Sequence, residues 1–166
     1  MSSRSSPGPT LLAVVLFVAI STTLLVAATG SCGGRLTYAL DDPYIHMAMA
    51  RNLADHGVWG VTRHEFTSSS SSPLWTLLLA VVTFLTGARP GWPLVLNLIA
   101  GLAVIAVSER ALRVLAPRAG RGTRLAVLCA VVLFTPLAPL VFTGQEHLLH
   151  AALALAFALE AARAIE

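Results

Sequence analysis

The sequence predicts an all-α polytopic membrane protein, with about four transmembrane helices and one or two interfacial helices in its first outer loop. Three observations carry that expectation. Of the 166 residues, 56% are hydrophobic and 11% charged, against about 25% charged in soluble domains. The mean hydropathy is +0.78. Apolar runs recur along the chain, most of them near the roughly 20 residues that a helix needs to cross hydrocarbon.

The first run, residues 10–29, is uncharged and reads as span 1. A cleaved signal peptide would have a shorter apolar stretch and a stronger cationic leader than Arg4 supplies. Thr29-Gly30-Ser31-Cys32 has the outline of a lipoprotein cleavage box, but Thr29 stands where an aliphatic residue belongs. Past Cys32-Gly33-Gly34 a polar stretch begins, and residues 35–91 are expected to form an outer loop. Within it, Asp42 is expected as N-cap, Pro43 at the first helical position and Gly57 as the stop. Ile45, Met49 and Leu53 then face away from Arg51 and Asp55, the pattern of a helix lying on the membrane. The serine run Ser68 to Ser72 is either flexible or turned toward a ligand.

Four later runs follow. Residues 74–86 are too few to cross, and suit a re-entrant or interface-parallel helix. Residues 92–108, 125–142 and 148–165 read as spans 2, 3 and 4. Arginine distribution orients them: Arg110, Arg113, Arg118, Arg121 and Arg124 form the densest cationic loop, which the positive-inside rule places in the cytoplasm. With residues 74–86 not crossing, the amino terminus is cytoplasmic, and the acid pair shares the outer face with Gly144-Gln145-Glu146-His147. Trp59, Trp75 and Trp92 read as an aromatic belt at that interface.

Composition excludes several classes. The net charge of +3 and the pI of 9.5 come from scattered arginines, with no lysine, so no basic stripe exists for nucleic acid. Cys32 and Cys129 fall at different expected depths, too far apart for a disulfide. Dinucleotide fingerprints, P-loops, zinc-protease helices and nucleophile elbows are absent.

Chemistry is sought first at Asp41-Asp42, because carboxylates beside hydrocarbon are costly to keep charged. Helix capping and the helix dipole account for Asp42 better than for Asp41, since a helix needs one cap. The catalytic alternative is a general base that takes the proton of an acceptor hydroxyl. His46, four residues after Asp42, could share a ligand or a divalent cation with it. Glu146 lies between two apolar runs, either as a helix-start acid or as a binding group. Arg51, Arg63 and His64 could meet a phosphate, or lipid headgroups. His147 and His150 are spaced for a metal but have no third ligand nearby.

Three blocks together resemble a known family: Asp41-Asp42-Pro43-Tyr44-Ile45, Ala50-Arg51-Asn52-Leu53-Ala54 and Ser71-Ser72-Pro73-Leu74-Trp75, with Thr143-Gly144-Gln145-Glu146 matching more loosely. They are similar to the GT-C superfamily of membrane glycosyltransferases, in its arabinofuranosyl- and mannosyltransferase-like branch. The resemblance implies transfer of a sugar from a polyprenyl-phosphate donor to a cell-envelope glycan, lipid or protein acceptor, outside a bacterial inner membrane. It implies Asp41 or Asp42 as the catalytic base and Glu146 as a binding group for acceptor, donor or metal. Relatives have more spans, so residues 1–166 are expected to be the amino-terminal portion of such an enzyme or a short relative. A non-catalytic polyprenyl-lipid-binding or scaffolding subunit is one alternative, and a small transporter or flippase component is another.

Overall fold

The computed structural model describes residues 8–165, so Arg4 and Glu166 lie outside it. Among the described residues there are seven helices and no strand: α1 Pro9–Ser31, α2 Asp42–His56, α3 Pro73–Thr86, α4 Trp92–Leu115, α5 Arg121–Phe134, α6 Leu137–Val141 and α7 His147–Ile165. Three of them, α1, α4 and α7, are long and apolar enough to cross a membrane. The run over 125–142, expected as one continuous span, is instead divided. Pro136, which has no N–H and clashes with the preceding turn, interrupts the run, so α5 ends at Phe134 and α6 restarts at Leu137.

The main core lies where α1, α4, α5, α6 and α7 meet, around Phe17, Val104, Ile105, Leu128, Leu137 and Leu148. Gly101 lets α1 approach α4 closely: a Cβ there would stand 2.5 Å from the Phe17 ring. Outward, α1 and α7 keep many apolar side chains uncovered, such as Val15, Val26 and Phe157. That is the surface expected of helices whose solvent is lipid.

A second, smaller cluster joins the loop helices to the bundle. Ala50 of α2 meets Trp75, Leu79 and Ala80 of α3, with Trp92, Leu96 and Leu149 packed against them. The apolar face of α2 is thus spent on α3, whereas the sequence suggested a helix laid on the lipid. Trp75 departs from the expected belt as well. It is 1% exposed, and its indole N–H donates to the Gly144 carbonyl at 3.2 Å. The short apolar run forms α3, 14 residues long and about 21 Å.

The chain's reversals give the bundle two chemically different ends. One gathers the loop from residue 32 to 41, the starts of α2, α3 and α4, and Gly144-Gln145-Glu146. The other gathers the start of α1, the ends of α4 and α7 and the start of α5, where Arg110 pairs with Glu160 at 2.7 Å and Arg124 lies 3.8 Å from Glu109.

Candidate functional site

The site is assembled at the first of these ends, by the start of α2 and the turn before α7. Asp41, not Asp42, is the N-cap of α2, and its side chain makes no capping hydrogen bond. Asp42 is the first helical residue and Pro43 the second, one position from the expected register. Asp42 therefore has its carboxylate free for another partner: Gln145 Nε2 donates to its Oδ2 at 2.6 Å across 103 residues of sequence. Asp42 is half-buried and Asp41 exposed.

One turn along α2, His46 is buried at 1% exposure. Its Nδ1 lies 2.9 Å from Thr76 Oγ1, and Thr76 Oγ1 lies 2.9 Å from Ser70 Oγ. On the other side of the ring, Nε2 is 3.4 Å from Ser71 Oγ and 3.9 Å from Glu146 Oε2. The end of the serine run is thus turned inward, and Ser72 is itself buried. Burial lowers the pKa of His46 below its ordinary value, while the Glu146 and Asp42 carboxylates oppose the shift. A neutral imidazole follows near pH 7.

Glu146 is 8% exposed, and its Oε2 is buried without a hydrogen-bond partner among the described residues. An unpaired buried carboxylate oxygen costs about 1–3 kcal/mol or more. A hydroxyl lying beside both Glu146 Oε2 and His46 Nε2 could bond each at ordinary length. The arrangement therefore offers a buried acceptor, Glu146 Oε2, beside an imidazole whose Nε2–H can donate to the same hydroxyl, with an oriented carboxylate, Asp42, close by in sequence and structure.

A tyrosine brace holds the loop over this site. The Tyr38 hydroxyl donates to the Pro90 carbonyl at 2.7 Å and accepts from Leu94 N–H at 3.2 Å. The Tyr38 N–H donates to Tyr44 Oη at 2.9 Å, and the two rings meet edge to face at 5.9 Å. Burial raises the Tyr38 pKa far above the ordinary phenol range, so the hydroxyl stays a donor. Gly144 lies against this brace with φ 68°, and a Cβ on it would come within 2.7 Å of the Tyr38 ring.

Arg51, Arg63 and His64 do not join the cluster. Arg51 is exposed and 3.5 Å from Asp55. It stands between two open grooves. One, of about 280 Å³, is mostly apolar and is lined by Tyr44, Met47, Leu79 and Trp92, with Arg89 at its side. The other, of about 350 Å³, mixes polar and apolar lining and holds Arg51, Asn52, His56 and Arg63 with Ala48 and Val61. His64 is exposed in the loop that follows. That loop is closed by Asn52, whose Nδ2 donates to the Gly60 and Val61 carbonyls at 2.9 and 2.8 Å.

Metal binding by Asp42 and His46 lacks a gathered ligand set: among the described residues no group of three or more His, Cys, Asp or Glu side chains is placed to hold an ion. Asp42 is turned to Gln145, and His46 to Thr76 and Ser71. Sequence reasoning passed over Thr76, Tyr38 and Arg89 and gave Gln145 no role of its own, while Ser70 lies in the serine run read as either flexible or ligand-facing. Gln145 had a signal in its adjacency to Glu146, whereas Thr76 lies in an apolar helix and had none. No protein-family model, curated protein or solved structure matches this chain.

Proposed function

We propose that the chain is a glycosyltransferase of the GT-C type, or the amino-terminal part of one, that moves a sugar from a polyprenyl phosphate to a cell-envelope acceptor. The observation that carries this reading is the bond between Asp42 and Gln145 beside the buried His46 and Glu146. It brings the acid pair of the first loop against the acidic turn of the second, at one end of a bundle whose long helices suit a membrane. A merely capping Asp42 would need no such partner.

In this reading Asp42 is the base. The Gln145 amide fixes Oδ2, leaving Oδ1 to take the proton of the acceptor hydroxyl. As the proton leaves, the acceptor oxygen bonds the anomeric carbon, the bond from that carbon to the phosphate oxygen breaks, and polyprenyl phosphate departs with the electron pair. Glu146 and His46 orient acceptor hydroxyls. The apolar groove beside Tyr44 and Trp92 takes prenyl units, and Arg51, with Arg63 or Arg89, offsets phosphate charge. Arg51 lies about 13 Å beyond Asp42 along α2, so its long side chain must reach back to serve a phosphate near the acid.

The same reading includes topology. Helices α5 and α6 together cross as a fourth, broken span, the arginine-rich end is cytoplasmic, and the acid pair faces outward, as the positive-inside rule requires. Membranes carrying the full chain, supplied with polyprenyl-phosphate-linked pentoses and hexoses, test the activity. Sugar transfer that falls at least a hundredfold in the Asp41→Asn, Asp42→Asn double variant is expected. A loss smaller than tenfold overturns the role of the pair and favours a non-catalytic lipid-binding subunit.

A further inference from the structure

The opposite end of the bundle holds a second buried carboxylate with an unused oxygen. Glu109, near the end of α4, is 6% exposed. Both neighbouring cations address the same atom, Oε1: Arg113 Nε at 2.8 Å and Arg124 Nη1 at 3.8 Å. Oε2 is buried and has no hydrogen-bond partner among the described residues. Helix geometry explains Arg113, four residues on, but nothing among the described residues uses Oε2.

Glu109 also helps to wall an open cavity of about 340 Å³, with Thr10, Ala106, Arg110 and Arg113. Thr10 belongs to the first turn of α1, which has no side-chain cap and no acidic residue. The positive end of a 23-residue helix therefore borders the cavity. Arg110 and Arg163 share Glu160 at 2.7 and 3.1 Å, so among the described residues four arginines meet two glutamates in these ion pairs. The cavity suits an anion near the arginines and a cationic hydrogen-bond donor near Glu109.

We propose that this cavity binds the headgroup of an ethanolamine phospholipid, with phosphate at Arg110, Arg113 and the first-turn amides of α1, and the ammonium donating to Glu109 Oε2. A free phosphate would use only half of this arrangement. Position also favours a lipid, because the cavity lies where two helices suited to a membrane begin and end. Leu11, Val15 and Val18 are 55%, 55% and 44% exposed, a stripe of helical spacing down which an acyl chain can lie. The proposal stands apart from sugar transfer, since it concerns the other end of the molecule and is read out by binding.

Native mass spectrometry of the purified, delipidated full chain in detergent tests it, with phosphatidylethanolamine, phosphatidylcholine, phosphatidylglycerol or inorganic phosphate added. Choline keeps the charge of ethanolamine but has no N–H. One phosphatidylethanolamine per chain is expected, held at least tenfold more tightly than phosphatidylcholine or phosphatidylglycerol. Glu109→Gln should cut the preference over phosphatidylcholine below threefold, and the Arg110→Ala, Arg113→Ala pair should weaken phospholipid binding at least tenfold. Arg110→Ala alone, at a side chain 56% exposed, gives a folded comparison and should weaken binding at least threefold. Equal retention of the three lipids by the unaltered chain overturns the proposal. So does displacement of the lipid by equimolar inorganic phosphate, or binding unchanged by the arginine variants.

Discussion

Asp41 and Asp42 are neighbours in sequence with unlike surroundings, and that difference can be measured. Asp42 is half-buried and tied to Gln145 at 2.6 Å, whereas Asp41 is exposed and uncommitted at the cap. General-base catalysis is worth about 10²–10⁴-fold, so Asp42→Asn should cost transfer at least a hundredfold. Asp41→Asn should cost less than tenfold in the same membrane assay, and reversal of that order would move the base to Asp41. His46 gives a second expectation. Its folded pKa is held below the unfolded value of about 6.5. Between those two values the unfolded chain binds more protons, so stability present above pH 6.5 is lost as pH falls through that window. Thermal midpoints in detergent should decline on acidification below about pH 6.5, and His46→Gln should flatten that decline. The acid pair was legible because charge is scarce in this chain, and the same scarcity marked Glu146. The one-residue shift of the cap was not legible, because Asp41 and Asp42 are equally good capping residues and only the reach of Gln145 separates them.

Among the elements, the clearest sequence signals were punctuation. Pro43 and Gly57 bracket α2, and Gly57 does take the left-handed conformation at φ 68° that glycine allows at a helix end. Pro73 and Gly87 bracket α3, Gly87 with a positive φ of 84° but an extended ψ of 158°. Pro136 was read through because hydropathy is high on both sides of it, and a hydropathy window does not register a missing N–H. The partnership of α2 with α3 was not legible either. The apolar side chains Met49 and Leu53 would serve a membrane surface or a neighbouring helix equally well, and Trp75 joins α2 to the bundle by packing with Ala50 and Leu53 and bonding the Gly144 carbonyl. The turn at Gly144 is the joint between that packing and the site. A Cβ there meets both a positive φ and the Tyr38 ring at 2.7 Å, so Gly144→Ala should destabilise by about 1–3 kcal/mol. A thermal midpoint lowered by several degrees is expected in detergent. An unchanged midpoint would show that the Tyr38 brace yields freely.

Two ends of opposite character are separated by α4, 24 residues long and about 36 Å. Cys32, exposed at the acid end, is a native reporter of that polarity. A membrane-impermeant thiol reagent applied to intact spheroplasts should label Cys32. In a Cys32→Ser background, Arg118→Cys should be labelled only after lysis, and the opposite pattern would invert the topology. The sequence carried this architecture through hydropathy and arginine placement, both of which act over many residues and survive local error. Contacts between distant loops depend on single side chains, and those required the structure. In the proposed function Asp42, held by Gln145 beside His46 and Glu146, is where sugar leaves its lipid phosphate. The decisive measurement is release of polyprenyl phosphate from lipid-linked sugar, comparing membranes bearing the unaltered chain with those bearing Asp42→Asn at equal amounts of folded protein. Acceptor-dependent release should fall at least a hundredfold in the variant, and release within tenfold of the unaltered chain would rule out Asp42 as the base.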